Sequence, residues 1–135
     1  IVNAICQEFS NLPADCALIL MGHGTSHYAN DVYAALDYRF KDLGFSNIHL
    51  ATVEGYPTLE NVTRMVKEQE AKKVILAPFM IVAGDHARND MSGDDEDSWK
   101  NQFRAAGYDV ECRMKGLGEY PAIQDMLIRH VTEVC

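Results

Sequence analysis

The sequence predicts an α/β fold: a single three-layer lobe with a four-stranded, mainly parallel sheet and flanking helices, in a flavodoxin-like or Rossmann-like topology. Four short strand-forming runs alternate with segments in which apolar residues recur every three or four positions. Consecutive strands joined by helices form parallel sheets with right-handed crossovers. The length of 135 residues and the hydrophobic content of 47% fit one globular domain.

The predicted strands are short apolar runs bounded by turn residues. The first, at 16–21, is apolar throughout and ends at Gly22, which indicates a strand covered on both faces. Pro78 lies inside the third run and predicts a local irregularity, because proline cannot donate a hydrogen bond to a neighbouring strand. The other three strands are predicted at 48–53, 73–82 and 108–114.

Apolar spacing and capping residues predict the helices. The first helix, at about 29–43, carries four apolar residues at helical spacing: Val32, Leu36, Phe40 and Leu43. The second begins at Pro57 and Thr58, the third follows the acidic residues 94–97, and the last runs from Pro121 to about 134. Residues 1–15 are predicted to be a linker or the end of a preceding helix, so the lobe itself is assigned to 16–135.

A side chain that can bind a metal ion follows each of the first three predicted strands. His23 follows the first, Glu54 the second and His86 the third. Open α/β sheets bind ligands at the carboxyl edge, and three adjacent strand ends fall within about 10 Å of one another. Two imidazoles and a carboxylate can hold one transition metal ion and leave positions open for chemistry. The sequence therefore predicts a metal site formed by these three residues.

Each of these residues also has an ordinary structural explanation. His23 lies between Gly22 and Gly24, which leave the ring accessible, but it could be a turn residue before a helix. Glu54 could simply begin a loop, and His86 lies in a polar loop where Asp85 or Asp90 could orient its ring. The hypothesis rests on the three sharing one edge.

Other polar motifs favour structural roles. His27 is interpreted as a solvated residue or one that supports the site, and His49 and His130 as packing or surface residues. The acidic residues 94–97 are interpreted as a solvated helix start. Neither Gly22-x-Gly24 nor Gly116-x-Gly118 continues as G-x-G-x-x-G, so no nucleotide cofactor is expected.

Composition excludes several classes of protein. The net charge of −8 argues against non-specific nucleic-acid binding, and no apolar run reaches the roughly 18 residues of a membrane helix. The four cysteines form no C-x-x-C pair, so a structural zinc site is not expected. Because nothing in their spacing favours disulfides, reduced thiols and a cytoplasmic setting are expected. A periplasmic chain whose signal peptide has been removed is the alternative.

Several motifs, in order along the chain, resemble those of the anaerobic cobalt chelatases of cobalamin synthesis, the CbiK type. They are LMGHGTSH at 20–27, VEGYP at 53–57, VAGDHARNDM at 82–91, DEDSWK at 95–100 and GLGE at 116–119. The resemblance implies a chelatase-like fold and a lyase of porphyrin and cobalamin biosynthesis. Such an enzyme inserts Co2+ into sirohydrochlorin or its precursor without ATP. It further implies that His23 binds metal and accepts pyrrole protons, and that Glu54 and His86 complete the metal site.

The resemblance also implies a missing half. Chelatases of this type have two similar lobes with the tetrapyrrole between them, and this chain corresponds to the C-terminal lobe. Because the chain begins at Ile1 rather than Met, we expect a fragment or processed chain. A separate chain that supplies the first lobe, or a half-length form that self-associates as a homo-oligomer, are the alternatives.

Three other functions compete with cobalt insertion. A His2Glu site accepts several first-row ions, so Ni2+ or Fe2+ insertion into a tetrapyrrole is one. A non-catalytic lobe that binds metal or tetrapyrrole is another. A zinc hydrolase shares the ligand set but needs a water-activating base beyond the ligands, for which the sequence offers no convincing candidate.

Overall fold

The computed structural model describes residues 2–24, 31–79, 87–116, 119–121, 123–125 and 128–129. The helices are α1 (Val2–Glu8), α2 (Asp31–Asp42), α3 (Leu59–Glu68) and α4 (Trp99–Ala105). The strands are β1 (Cys16–Gly22), β2 (Ile48–Thr52), β3 (Lys73–Pro78) and β4 (Asp109–Cys112). A π-helical turn, Ala87–Met91, precedes α4, and residues 121, 123–125 and 128–129 are helical. Within these ranges, no helix is long and apolar enough to cross a membrane.

The four strands form one sheet in the order β2-β1-β3-β4, and all their pairings are parallel. Strand β1 is central, with Leu20 opposite Leu50 of β2 on one side and Ala77 of β3 on the other. The predicted α/β fold with a parallel four-stranded sheet is confirmed. The carboxyl ends of β2, β1 and β3 are therefore neighbours at one edge.

Helices cover both faces of this sheet, which explains why β1 is buried along its whole length. Leu18 and Leu20 point to the face covered by α1 and α2, whereas Ile19 and Met21 point to the face covered by α3 and α4. On the second face, Phe103 of α4 is 1% exposed and packs in the core. The predicted three-layer arrangement follows from this alternation.

The strand ends differ from the predicted ones by a few residues. Strand β3 ends at Pro78 rather than 82, and Phe79 then donates its N–H to the Met21 carbonyl at 2.7 Å. Proline is tolerated at this terminal position because the interior of the strand is unaffected. Residues 80–82 lie outside the described ranges. Strand β4 spans four residues, although the N–H of Arg113 still donates to the Leu76 carbonyl at 2.8 Å.

The helices show two further differences. Residues 2–8 form α1, and Val2, Ile5 and Phe9 are buried in the core beside α2. In α2, Phe40 is fully buried as its spacing indicates, but Val32 is 53% exposed. Tyr33 packs against the core instead, with its ring beside Gly22.

Candidate functional site

Two of the three predicted metal ligands meet at the carboxyl edge of the sheet. Main-chain pairing continues beyond the strands, because Val53 donates its N–H to Gly22 at 3.1 Å and Glu54 to His23 at 3.0 Å. The side chains then approach each other, with 3.9 Å between Nδ1 of His23 and Oε2 of Glu54. Both are open to solvent, with exposed fractions of 44% and 59%. The edge therefore presents an accessible imidazole–carboxylate pair.

The third predicted ligand, His86, lies outside the described residues, as do Asp85, His27 and His130. Within the part of the chain that the structure describes, no group of three or more His, Cys, Asp or Glu side chains could hold a metal ion. The structure thus brings together His23 and Glu54, and the role of His86 stays a prediction. Asp90, the other residue proposed to orient His86, belongs to the π-helical turn.

The hydrogen bond of His23 determines which ring nitrogen can bind a metal. Nδ1 lies 2.9 Å from the Gly24 carbonyl oxygen, which can only accept, so Nδ1 is the donor in this contact. The lone pair of the neutral ring is then on Nε2. Metal-binding histidines commonly donate their second N–H to a carbonyl in this way. Since Glu54 lies nearest to Nδ1, one ion shared with Nε2 requires these half-exposed side chains to rotate.

Two glycines allow the chain to place His23 at this position. Gly24 has a φ of 81°, which favours glycine, and a Cβ there would lie 2.7 Å from Thr52 Cβ and 2.8 Å from Gly55 N. A Cβ on Gly22 would lie 2.6 Å from the ring of Tyr33. The segment carrying His23 is therefore packed directly on the segment carrying Glu54, and only glycine fits between them.

Thr52, the last residue of β2, organises the turn that carries Glu54. Its hydroxyl donates to the Pro57 carbonyl and accepts the Gly55 N–H, each at 3.0 Å, and its side chain is buried. The Thr52 N–H also donates to the Pro57 carbonyl, at 2.8 Å. Sequence reasoning missed this residue. Its signal was a hydroxyl residue three positions before a glycine, which is typical of side-chain-to-backbone turns.

The remaining polar motifs have structural roles in the described residues. His49 is buried in β2 and contacts Gln69 and Lys41. The acidic residues 94–97 are exposed and precede Ser98, whose hydroxyl caps α4 by accepting the Asn101 N–H. A cavity of about 260 Å³ lies at the opposite edge of the sheet, where Cys16 and Lys73 begin β1 and β3.

Comparison with known proteins identifies the family. The model of the family described as cobalt chelatase (CbiK) matches residues 1–135. The chain belongs to the cobalt chelatase (CbiK) family. The resemblance drawn from the motifs is thereby confirmed.

Two curated relatives of this CbiK-family chain are chelatases. It is 39% identical over 131 residues to the sirohydrochlorin cobaltochelatase of Salmonella typhimurium, a match that covers 97% of this chain and 49% of the relative. It is 34% identical over 127 residues to the sirohydrochlorin cobaltochelatase CbiKC of Nitratidesulfovibrio vulgaris, covering 91% of this chain and 45% of the relative. The chain spans about half the length of these relatives.

A solved structure shares the fold over most of both chains. The crystal structure of a CbiX protein of cobalamin (vitamin B12) biosynthesis from Marinobacter aquaeolei matches with a TM-score of 0.65 and 20% identity. The match covers 88% of this chain and 97% of that chain. It confirms the chelatase-like α/β fold of the CbiK-family chain.

Proposed function

We propose that this chain is the C-terminal, metal-carrying lobe of a chelatase that inserts Co2+ into sirohydrochlorin or its precursor without ATP. The observation that carries the proposal is the approach of His23 and Glu54, 3.9 Å apart, at the carboxyl edge of the two neighbouring strands β1 and β2. Membership of the CbiK family and the two cobaltochelatase relatives support the choice of metal and tetrapyrrole. The enzyme is then a lyase of cobalamin biosynthesis.

The chemistry of insertion fits this pair of side chains. Insertion must remove water from the ion and two protons from the pyrrole nitrogens. A neutral imidazole binds a first-row ion, and after the ion has moved to the macrocycle the same nitrogen can take up one pyrrole proton, pass it to solvent and then take up the second. A carboxylate beside it offsets the charge of the incoming ion. His23 is therefore proposed as ligand and base, and Glu54 as ligand.

His86 is proposed as the third ligand. Strand β3 pairs with β1 on the side opposite β2, which supports a site in which residues after β2 and β3 flank His23. Three protein ligands leave coordination positions for water and for the pyrrole nitrogens. Co2+ is the substrate of this site, so weak, open coordination favours its release.

The tetrapyrrole requires a second wall. An open sheet edge contacts one face of a flat macrocycle, and the chain spans about half the length of its curated relatives. A second chelatase lobe, from the same protein, another chain or a second copy in a homo-oligomer, is proposed to cover the other face. A cytoplasmic setting is proposed for the complete enzyme.

Two alternatives remain specific enough to test. Imidazole and carboxylate ligands also suit Ni2+ and Fe2+, so insertion rates with each ion decide the metal. The second alternative is a lobe that binds metal or tetrapyrrole without inserting the ion.

The test is an anaerobic absorbance time course of sirohydrochlorin and Co2+ with the chain, with its His23→Ala variant, and without protein. We expect the wild-type chain to accelerate the appearance of the cobalt complex, with a second copy of the chain supplying the other wall, and the variant to lose this acceleration. Equal rates in wild type and variant would contradict the role of His23. Spectral shifts on binding without any acceleration would mean that the chain is a lobe that needs its second lobe for insertion.

A further inference from the structure

We infer that Thr52 is a positioning residue for Glu54: its hydroxyl holds the turn that aims the carboxylate at His23. Glu54 is 59% exposed and its side chain alone does not fix its position. The turn that carries it, residues 52–57, must therefore be held by its own backbone contacts. This inference rests on the proposed metal site and extends it to a buried residue that is not itself a proposed ligand.

The hydroxyl of Thr52, which precedes Glu54, bonds to two residues that follow it. It accepts the N–H of Gly55, the residue after Glu54, at 3.0 Å. It donates to the carbonyl of Pro57, also at 3.0 Å, and this bond is buried. One atom thus ties the middle and the end of the turn to the last residue of β2. Because Thr52 is 3% exposed, water does not readily replace these bonds.

Thr52 also supports the segment that carries His23. A Cβ on Gly24 would lie 2.7 Å from Thr52 Cβ and 3.0 Å from its Oγ1, so the backbone of Gly24 packs directly on this side chain. The Gly24 carbonyl in turn accepts the hydrogen bond from Nδ1 of His23. Thr52 therefore contacts the backbone segments that carry both candidate ligands and holds these segments together, while the two half-exposed side chains can still rotate toward an ion.

Removal of the Thr52 hydroxyl should disturb the position of Glu54 more than it lowers the stability of the fold. The Thr52 N–H still donates to Pro57, and Glu54 still donates its N–H to His23, so β2 and the sheet remain paired. The Gly55 N–H, however, loses its acceptor. Residues that orient metal ligands typically change metal affinity about 10- to 100-fold when they are replaced, and we expect Thr52 to lie in this range.

The experiment is a titration with CoCl2 alone, followed by cobalt absorption, of Thr52→Val, Thr52→Ser, Glu54→Ala and the Thr52→Val/Glu54→Ala double variant. Valine keeps the shape of threonine without its hydroxyl, and serine keeps the hydroxyl. Thr63→Val is the matched control, because it removes a hydroxyl bond of 2.8 Å to Leu59 on α3, away from the edge. Thr52→Ala replaces the valine variant if that variant does not fold.

We expect Thr52→Val to weaken cobalt binding at least about tenfold. Thr52→Ser and Thr63→Val should bind cobalt with the affinity of wild type. The Thr52→Val/Glu54→Ala double variant should bind cobalt no more weakly than Glu54→Ala alone. Two results would overturn the role of Thr52 while leaving the proposed metal site intact. One is wild-type cobalt affinity in Thr52→Val, and the other is a Thr52→Val effect on cobalt affinity that is as large in the Glu54→Ala background as in wild type. Unchanged affinity in Glu54→Ala would instead overturn the proposed metal site and this inference with it.

Discussion

The N–H of Glu54 donates a hydrogen bond of 3.0 Å to the carbonyl oxygen of His23, one residue beyond the end of β1 and two beyond the end of β2. This bond joins the backbones of two residues that are 31 positions apart in the sequence. The two candidate metal ligands are therefore held together by the main chain as well as by the approach of their side chains. Changes that disturb this pairing should affect metal binding, and changes elsewhere should affect stability alone.

The first prediction concerns Gly24. Gly24→Ala places a Cβ 2.7 Å from Thr52 at a φ of 81°, so the His23 segment must move away from the Glu54 segment. We expect a loss of about 1–2 kcal/mol from the left-handed conformation, a further loss from crowding, and weaker cobalt binding. Urea unfolding and cobalt titration measure the two effects.

Gly44→Ala is the matched control for that substitution. Gly44 also has a positive φ, of 93°, but a Cβ there meets nothing within 4 Å. Gly44→Ala should lower the free energy of unfolding only by the cost of the left-handed backbone conformation and leave cobalt affinity unchanged. Equal cobalt affinity in Gly24→Ala and Gly44→Ala would contradict the packing argument.

The second prediction concerns Asp37, which protects the edge strand β2. One carboxylate oxygen of Asp37 accepts the outward-facing N–H of Leu50 and the ammonium of Lys41, each at 2.8 Å, and Lys41 also donates to the Ile48 carbonyl at 3.1 Å. Unpaired strand edges promote association between chains. Asp37→Ala leaves the Leu50 N–H without its acceptor, so we expect a loss of about 1–3 kcal/mol in unfolding free energy.

Light scattering should also reveal more self-association in Asp37→Ala than in wild type. Asp42→Ala is the control, because Asp42 is exposed at the end of the same helix. Its carboxylate opposes the helix dipole there, so its removal should not destabilise the protein. Identical stability in the two variants would show that Asp37 does not protect the edge.

The third prediction concerns pH and His49. His49 is 2% exposed; its Nδ1 lies 3.2 Å from the Lys41 ammonium and its Nε2 lies 3.0 Å from the Gln69 oxygen. Burial lowers the pKa of His49 below its ordinary value, and the Lys41 charge lowers it further, against the opposing effect of the Gln69 hydrogen bond. The folded protein therefore binds fewer protons at this residue than the unfolded chain does.

The stabilisation from neutral His49 should accordingly be complete above the ordinary histidine pKa of about 6.5 and be lost as the pH falls through the lower folded value. His49→Gln, which cannot take up a proton, should lose less stability than wild type between about pH 7.5 and pH 5.5. Urea unfolding at both values measures the difference. The same loss in both proteins would rule out His49 as the source.

The fourth prediction concerns the core. Phe40 of α2 is fully buried on the face of the sheet covered by α1 and α2, whereas Tyr38 on the same helix is 72% exposed. Phe40→Ala should lower the free energy of unfolding by about 3–5 kcal/mol through lost burial and a cavity. Tyr38→Ala should stay within about 0.5 kcal/mol of wild type. Urea unfolding of both variants distinguishes a packed α2 from one that is only loosely attached.

Much of the fold could be predicted because the pattern of apolar residues indicates which side chains are buried. A strand covered on both faces is apolar throughout, as residues 16–21 are, and alternate residues then reach opposite layers. Helix α1 was missed as an element of its own, although Val2, Ile5 and Phe9 recur at helical spacing and are buried. Pro78 predicted an irregularity within the third strand, but the sequence did not indicate that β3 ends there.

The site could be predicted in part. Residues that follow neighbouring parallel strands meet at one edge whatever the loops do, so the approach of His23 and Glu54 followed from the order of the strands. The role of Thr52 did not, because it depends on the path of the turn that brings Gly55 and Pro57 to its hydroxyl. Loop geometry of this kind is set by many weak contacts rather than by a repeating pattern.

The central claim is that His23 and Glu54 bind one Co2+ ion together, and the most direct test is an anaerobic cobalt titration of wild type, His23→Ala, Glu54→Gln and the double variant. Glu96→Gln, in the exposed acidic run, is the control. We predict that each single substitution weakens binding at least about tenfold and that the double variant loses less than the product of the two effects, because the ligands share one ion. Wild-type cobalt affinity in both single variants would contradict the account.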